Sequence, residues 1–190
     1  MKHNKEYLKR DEWTVREVPL SVVQNMVERY HYTGGGSNTA TYRHGLFFNN
    51  DEEQECFGVA WWIPPTKSAA KATYPENWQG VLALSRLAIN PLVPTNGASF
   101  LLAKSVKLID RDRWPCLVTY ADEMMGHSGQ IYKATNWEYR GKTAPEACFV
   151  KDGRVVARKA GPKTRTKQEM LDMGCEFLGR FSKHKYVNII

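Results

Sequence analysis

The sequence predicts one α/β domain, spanning residues 1–190, with helices packed on a mixed β-sheet. Three observations support this prediction. Apolar residues follow strand spacing and helix spacing in turn along the chain, as is typical of α/β proteins. Hydrophobic residues make up 42% of the 190 positions and aromatic residues 12%, enough for a sizeable core. No apolar run approaches the roughly 18–20 residues of a membrane span, so we expect no membrane partner.

The chain begins with a predicted strand and a predicted helix. Alternating residues in WTVREVPL indicate the strand. Apolar residues recur at helical spacing in PLSVVQNMVERYHY, and Ser21 is the expected N-cap of that helix. The three glycines of TGGGSNTA permit positive φ and therefore predict a flexible loop.

The next segments predict a hairpin followed by a long loop. TYRHGLFFN and ECFGVAWWIPP have the composition of strands, and the acidic turn NDEEQ joins them as an antiparallel pair. Residues 66–80 are rich in Lys, Ala, Thr and Pro. We expect them to form a long loop, of the kind that often carries function in compact domains.

The second half of the chain alternates between strands and helices. The predicted strands are VLALSRLAI, CLVTYAD, WEYRGK, ACFVKDGRVVARK and EFLGRFSKHKYVNII. The predicted helices are SFLLAKSVKLID, a short helix within 127–136, and KTRTKQEMLDMG. The triplet KDG is expected to form a hairpin turn, and Gly174 is expected to end the last helix.

The net charge of +7 resides in the C-terminal third. Residues 1–132 hold 14 basic and 14 acidic side chains, whereas residues 133–190 hold 13 and 6. The segment 151–167 holds seven basic residues against one acidic residue. This asymmetry predicts a polyanionic partner, most simply nucleic acid; a basic loop that aids solubility is the alternative. The candidate DNA-binding residues are Arg154, Arg158, Lys159, Lys163, Arg165 and Lys167.

Cysteine and histidine give little support for metal or disulfide chemistry. The four cysteines form no CxxC pair, so we expect free thiols that are mostly buried. His31 and His127 could join Asp122 in a two-histidine, one-carboxylate set, which would make iron a candidate cofactor. No short-range ligand spacing supports that set.

Three residues stand out for chemistry. Asp122 ends a buried strand, where the crevices of α/β sheets bind ligands, but it could equally cap the next turn. Tyr132, on the following helix, could donate a proton to a leaving group or could simply pack. Arg86 lies on an apolar strand and therefore needs a partner, which could be a carboxylate, a phosphate or Asp122. The turn at 96–99 opens a helix whose N-terminus favours a pyrophosphate, although a plain connector has the same pattern.

The order of these units resembles the GNAT-type acyltransferase superfamily, with PTNGAS (94–99) and IYKATNW (131–137) in its pyrophosphate and second-helix patterns. Pro94 and Ser99 depart from the first pattern, and Asn136 and Trp137 from the second. The resemblance implies a GNAT-like fold with a twisted, mostly antiparallel mixed sheet flanked by helices. It also implies acyl-CoA, such as acetyl-CoA, as donor. The implied cofactor-binding residues are Leu87, Ala88, Asn96, Gly97, Ala98, Ser99 and Tyr132.

A more specific resemblance covers roughly residues 30–141. The segments LSRLAI, TYAD, GHSGQIY and NWEYRG together look like the Mom family of DNA adenine-modification proteins. The resemblance implies that the N6 amino group of adenine in DNA is converted to a carbamoylmethyl derivative, with acyl-CoA or another activated donor. It also implies that this modification protects phage DNA from restriction. The implied functional residues are Arg86, Ser99, Asp122 and Tyr132, with His31 and Tyr32 on the acceptor side.

These resemblances set the expected partners and the alternatives. A base inside double-stranded DNA is unreachable, so modification implies flipping the adenine into a pocket. A phage or prophage protein with a charged N-terminus and no secretory signal is expected in the cytoplasm of the bacterial host. The oligomeric state stays open, with a dimer as one option. The alternatives are an acetyl-CoA-dependent N-acetyltransferase for a small-molecule or protein amine, and a non-catalytic nucleic-acid-binding module.

Overall fold

The computed structural model describes residues 6–160 and 163–190. A seven-stranded sheet with the order β1-β2-β3-β4-β5-β12-β6 forms its centre. The strands in this sheet are β1 (Trp13–Glu17), β2 (Tyr42–Phe48), β3 (Cys56–Ile63), β4 (Val81–Ile89), β5 (Cys116–Asp122), β6 (Glu138–Lys142) and β12 (Lys183–Ile189). Neighbouring strands are antiparallel except β4 and β5, which are parallel. The predicted mixed, mostly antiparallel sheet is therefore confirmed.

Helices cover both faces of the sheet. The helices are α1 (Leu20–Tyr30), α2 (Lys67–Lys71), α3 (Gly97–Lys107), α4 (Gln130–Ala134) and α5 (Lys167–Asp172). The apolar face of α1 packs on Val59 and Trp61 of β3. The opposite sheet face, which carries Trp62, packs against α3 and α4. None of the helices in the described ranges is long and apolar enough to cross a membrane.

Two sequence-based predictions in the first half are wrong. Helix α1 begins at Leu20 with Pro19 as its N-cap, and Ser21 lies exposed in the first turn. Pro19 has extended φ/ψ, so the helix cannot begin before it. The Pro19 carbonyl accepts from the N–H groups of Val22 and Val23 in the first turn. Residues 66–80 are folded rather than loop: Thr66 caps α2, and a 3₁₀ helix follows at Pro75–Gly80.

The C-terminal third contains an insertion between β6 and β12, residues 143–182. It is built from β7 (Glu146–Lys151), β8 (Arg154–Val156), β9 (Lys159–Ala160), β10 (Lys163–Thr164), α5 and β11 (Glu176–Phe181). Strands β11, β7 and β8 form a separate sheet around Phe149, Met170 and Cys175. The predicted KDG turn is confirmed, because Asp152 and Gly153 both have positive φ between β7 and β8. Gly174, with φ of 78°, ends α5 as predicted.

The predicted final strand, EFLGRFSKHKYVNII, is two strands in two sheets. Strand β11 pairs with β7 in the insertion, and β12 enters the central sheet between β5 and β6. The chain leaves and rejoins the central sheet at one place, where Thr143 N–H donates to Lys183 O at 2.9 Å and Lys183 N–H donates to Thr143 Oγ1 at 3.0 Å. The whole basic segment except Gly161 and Pro162, which lie outside the described residues, thus belongs to a folded insertion.

Candidate active site

The candidate site is a cleft where β4 and β5 separate. The two strands pair only over Val81–Ala83 and Cys116–Val118. Arg86 and Leu84 pair with consecutive residues of β3, so Ser85 is an extra residue that bulges from β4. A bulge bends its strand, and here it turns the C-terminal part of β4 away from β5. The cleft that results is a cavity of about 460 Å³, a size typical of ligand sites.

Five parts of the chain line the cavity. They are residues 30–32 at the end of α1, residues 84–87 and 89 of β4, Ala98 of α3, residues 119–122 of β5, and the segment 126–132 that leads into α4. Of the residues predicted for the site, the cavity brings together His31, Tyr32, Arg86, Leu87, Ala98, Asp122, His127 and Tyr132.

The other residues predicted for the site lie beside the cavity. Ser99 donates its hydroxyl to Asn96 O at 2.9 Å and does not line the cavity. Asn96 is the N-cap of α3, in the left-handed conformation. A Cβ at Gly97 would lie 2.2 Å from Val93 Cγ1, so packing of the turn requires glycine here. Ala88 packs under α1 on the other face of the sheet.

Asp122 is the buried carboxylate of the site, and hydrogen bonds hold both of its oxygens. Its side chain is buried, with the residue only 6% exposed. Oδ1 accepts from the Met124 N–H at 3.1 Å, and Oδ2 accepts from the Tyr32 hydroxyl at 3.1 Å. Lys183 Nζ lies 3.6 Å from Oδ2. The capping role and the site role that the sequence left open therefore coexist, because one oxygen holds the turn and the other faces the cavity with Tyr32.

His31 and Tyr32, which the resemblance placed on the acceptor side, stack against each other at the cavity. The rings of His31 and Tyr32 stack with centroids 4.5 Å apart, and His127 meets Tyr32 edge-on at 6.2 Å. Burial raises the pKa of the Tyr32 phenol, and the Asp122 carboxylate raises it further, so Tyr32 keeps its proton. Burial, then the charges of Arg86 and His127, lower the pKa of His31 to about 4.

Arg86 is held by backbone carbonyls. Its Nε donates to Gly35 O at 3.0 Å and its Nη1 donates to Ser85 O at 2.7 Å. Among the described residues, no ion pair joins Arg86 to Asp122, which pairs with Lys183 instead. Burial lowers the pKa of Arg86, but a guanidinium is so basic that Arg86 remains a cation at neutral pH. Arg86 thus holds residues 34–36, the glycine loop, next to the cavity. Its positive charge is also available to attract an anionic group in the cavity.

Tyr132 lines the cavity from α4. Its ring packs against Trp137 at 5.9 Å and Tyr186 at 5.2 Å between centroids. Burial raises the pKa of its phenol, and a hydrogen bond to Thr119 opposes that rise. Tyr132 is therefore a neutral, oriented phenol that can donate a proton.

Gly129 starts α4 at a place where only glycine fits. Its φ is 78°, and a Cβ would lie 2.2 Å from the Tyr186 ring. We expect Gly129→Ala to lower the free energy of unfolding by about 3–5 kcal/mol, through backbone strain and overpacking together. Gly126→Ala is the matched control, because Gly126 has a φ of 69° and no neighbour within 4 Å of its Cβ position. It should cost only about 1–2 kcal/mol in urea unfolding; equal losses would contradict the clash.

The His31 titration can be predicted with its sign. By NMR the ring should titrate near pH 4, and Arg86→Gln should raise that midpoint toward 6.5 because a neighbouring cation is removed. His44, buried and 2.7 Å from Ser105 Oγ, also has a pKa lowered to about 4 but by burial without Arg86. The His44 midpoint should therefore stay unchanged in Arg86→Gln. An equal rise of the His31 and His44 midpoints would disprove the electrostatic coupling between His31 and Arg86. Because the unfolded chain binds protons first, stability should fall as pH drops from about 6.5 to about 4.

The metal-ligand hypothesis gains no support from the geometry. His31, His127 and Asp122 line one cavity, but no three His, Cys, Asp or Glu side chains in residues 6–160 and 163–190 come together as a metal-ligand group. The oxygens of Asp122 contact Tyr32, Met124 and Lys183 instead. The four cysteines are free, but only Cys116 and Cys175 are buried, so the expectation of buried thiols holds for two of them.

The basic segment approaches the cavity through one residue. Arg154, at the start of β8, lies against the glycine loop, where a Cβ on Gly34 would be 3.6 Å from its Nη1. Arg158 Nε donates to Arg165 O at 2.9 Å, beside the antiparallel pair of β9 and β10. Lys159 and Lys163 are exposed; Lys163 pairs with Glu169, and Lys167 packs 3.9 Å over the Phe177 ring.

Sequence reasoning missed two residues that complete the site. Thr119, only 1% exposed, is the hydrogen-bond partner of Tyr132. Lys183 pairs with Asp122 because β12 places it directly opposite in register. Side chains alternate between the two faces of a strand, so CLVTYAD could have shown that Thr119 and Asp122 lie on opposite faces, with Thr119 toward α4. No local pattern indicates that Lys183 pairs with Asp122.

Solved structures of acetyltransferases share this fold. The apo form of a mutant agmatine N-acetyltransferase superposes with a TM-score of 0.55 at 9% identity, over 95% of this chain and 100% of that one. The ribosomal-protein-S18-alanine N-acetyltransferase from Escherichia coli gives 0.54 at 11%, over 94% of each chain. A GNAT family acetyltransferase from Elizabethkingia anophelis with acetyl-CoA bound gives 0.54 at 10%, over 95% and 99%. At such identities the likeness shows the fold, and the expected GNAT-like fold is confirmed.

Sequence comparison gives the family. No curated protein sequence matches the chain. The profile of the Mom protein family matches residues 12–190, which includes every cavity residue and the whole insertion. The chain therefore belongs to the Mom protein family.

Proposed function

We propose that this protein transfers a small activated group to the N6 amino group of adenine in DNA, giving the carbamoylmethyl derivative. The observation that carries the proposal is the arrangement of one cavity. A buried carboxylate, Asp122, the stacked His31–Tyr32 pair and a neutral phenol, Tyr132, line the same cavity. A group-transfer reaction needs both a proton acceptor at the nucleophile and a proton donor at the leaving group.

The donor side fits a molecule that carries a pyrophosphate, as a coenzyme A conjugate does. The cavity extends to Ala98 in the first turn of α3, an eleven-residue helix. The first-turn N–H groups of a helix lack intrahelical partners, and the helix dipole favours phosphate there. For the carbamoylmethyl product, the electrophilic carbon of the donor must be the methylene of H₂N–CO–CH₂–X, where X is the leaving group; a thioester would deliver its acyl carbon and give an N6-acyladenine instead. The residues of this chain would hold the donor's pyrophosphate at 96–98 and leave its reactive end beside Tyr132.

The proton balance follows from the side chains. Adenine N6 is a poor nucleophile, because its lone pair is delocalised into the ring. As the N6–carbon bond forms and the bond to the leaving group breaks, Asp122 takes the proton that N6 loses. Tyr132 gives its phenol proton to the leaving group, with Thr119 orienting the hydroxyl. Proton transfers of this kind contribute about 10²–10⁴-fold each.

Protection of phage DNA follows from the position of the change. Restriction enzymes read the N6 amino group of adenine as a donor in the major groove. A carbamoylmethyl group there removes one N–H and adds bulk, so recognition is lost. The exposed cations of the insertion would bind the phosphates around the flipped base, with Arg154 nearest the cavity.

Mass spectrometry of nucleosides tests the proposal. DNA from bacteria that express the chain should contain a new adenine nucleoside whose added mass is that of carbamoylmethyl, and DNA from bacteria that express Asp122→Asn should not. An acetyl adduct would keep the target but change the transferred group.

The fold favours one alternative, acetyl transfer to a small-molecule or protein amine, which the names of the structural neighbours describe for those proteins. Unmodified adenine in several hosts, together with acetyl-CoA turnover on an amine, would establish that alternative. DNA binding with neither reaction would indicate a non-catalytic module.

A further inference from the structure

One face of the central sheet continues from the cavity as a row of cations. Lys183 pairs in register with Asp122, and Lys185 pairs with Tyr120, which also lines the cavity. Alternate residues of a strand share a face and lie about 6.5–7 Å apart. Lys185 therefore lies one step along β12 from the ion pair at Asp122, on the same side of the sheet.

The folded excursion 66–80 borders this row. Lys185 Nζ donates to Ala72 O at 3.3 Å, at the C-terminal end of α2. The ammonium groups of Lys67 and Lys71 lie 5.2 Å and 6.0 Å from the centre of the Trp78 ring. The Trp78 ring thus holds two further cations beside the C-terminal end of α2, which Lys185 contacts.

These cations are poorly neutralised. Burial and the nearby charge of Arg140 lower the pKa of Lys185. In the described part of the chain no carboxylate lies within ion-pair distance of Lys67, Lys71 or Lys185. Arg140 pairs with Glu138 at 2.8 Å, and the pair is exposed to solvent, where it is worth little. Glu76 is the acidic residue of the excursion, and it is exposed.

We propose that Lys67, Lys71, Arg140 and Lys185 form a second phosphate-binding surface, the β12 surface, for the DNA strand that carries the target adenine. The inference rests on the proposed function and deepens it. The backbone on either side of a flipped base must pass close to the pocket, and the β12 surface adjoins the cavity through Tyr120. The basic insertion comes close to another part of the lining, because Arg154 lies against Gly34, two positions after the cavity residue Tyr32. The two basic surfaces would hold the strand on two sides of the cavity.

The test measures affinity against salt concentration for a duplex with an adenine opposite an abasic site. Two double variants remove the cations, Lys67→Ala with Lys71→Ala, and Arg140→Ala with Lys185→Ala. Each should lower affinity at low salt by about tenfold or more and reduce the slope of log K against log salt by about 1–2. The matched control is Lys104→Ala with Lys107→Ala, two exposed lysines of α3 on the opposite face, and it should leave both quantities unchanged.

The outcomes separate this surface from the proposed function. If the unchanged chain binds and modifies DNA but both double variants keep its affinity and salt slope, the β12 surface is overturned and the function stands. If the unchanged chain does not bind DNA, the proposed function and the surface both fall. The exchange of Arg140→Lys with Lys185→Arg keeps the charges and should keep the slope; a loss in this variant would show that packing, not charge, is responsible.

Discussion

Asp122→Asn is expected to reduce the rate of adenine modification by about 10²–10⁴-fold without weakening DNA binding. The amide can still accept from Met124 N–H through its oxygen, so the turn that follows β5 keeps its hydrogen bond. It cannot take a proton from N6, and it no longer attracts the Lys183 ammonium, which lies 3.6 Å away in the unchanged chain. The loss should therefore appear in kcat with intact DNA affinity.

The measurement is the yield of modified adenine per enzyme under single-turnover conditions, with DNA affinity and thermal unfolding recorded for the same preparation. Asp172→Asn is a matched control, because Asp172 is an exposed carboxylate at the end of α5 that accepts from the Gln168 side chain. It should retain the full rate. A full rate in Asp122→Asn would remove Asp122 from the proton path and leave it as the cap of the following turn.

Lys183 separates a structural role of Asp122 from a chemical one. The ammonium of Lys183 lies 3.6 Å from Oδ2 of Asp122, and 41% of the Lys183 side chain is accessible to solvent. Removing it leaves Asp122 with the Tyr32 and Met124 hydrogen bonds. Lys183 is thus a positioning residue, which acts on the reaction only through the carboxylate.

Local periodicity was enough to predict most of the elements and the main wall of the site. β5 reads as a buried strand in the sequence, and its last residue, Asp122, lies at the cavity because the end of a strand fixes where its final side chain points. IYKATNW was expected to lie in the second-helix pattern, and Asn136, which follows the end of α4, has a φ of 61°. These features depend on residues within one turn or one strand of each other.

Features that depend on distant residues could not be predicted in this way. The separation of β4 from β5 depends on a bulge at Ser85, which is visible only in the register with β3. The requirement for glycine at position 129 comes from Tyr186, 57 positions later in the chain. The insertion went unrecognised because the strand signal continues through Ser182, and nothing local shows that β11 and β12 enter different sheets.

Tyr132→Phe is expected to lower the modification rate by about 10²-fold or more, with the fold and DNA affinity unchanged. The ring contacts with Trp137 and Tyr186 remain, so only the hydroxyl and its bond to Thr119 are lost. Tyr139→Phe is the matched control, because Tyr139 is exposed on β6 and its hydroxyl lies 3.1 Å from His184 Nδ1, outside the cavity.

The dependence on the leaving group shows whether the phenol acts as an acid. A phenol that protonates the leaving group matters most when that group is a strong base, so a donor with a weakly basic leaving group should lose much less rate in Tyr132→Phe. Thr119→Val keeps the Tyr132 phenol but removes the hydrogen bond that orients it. This variant should lose less of the modification rate than Tyr132→Phe, with the same dependence on the basicity of the leaving group. An equal loss for every donor would mean that the hydroxyl binds substrate rather than donating a proton.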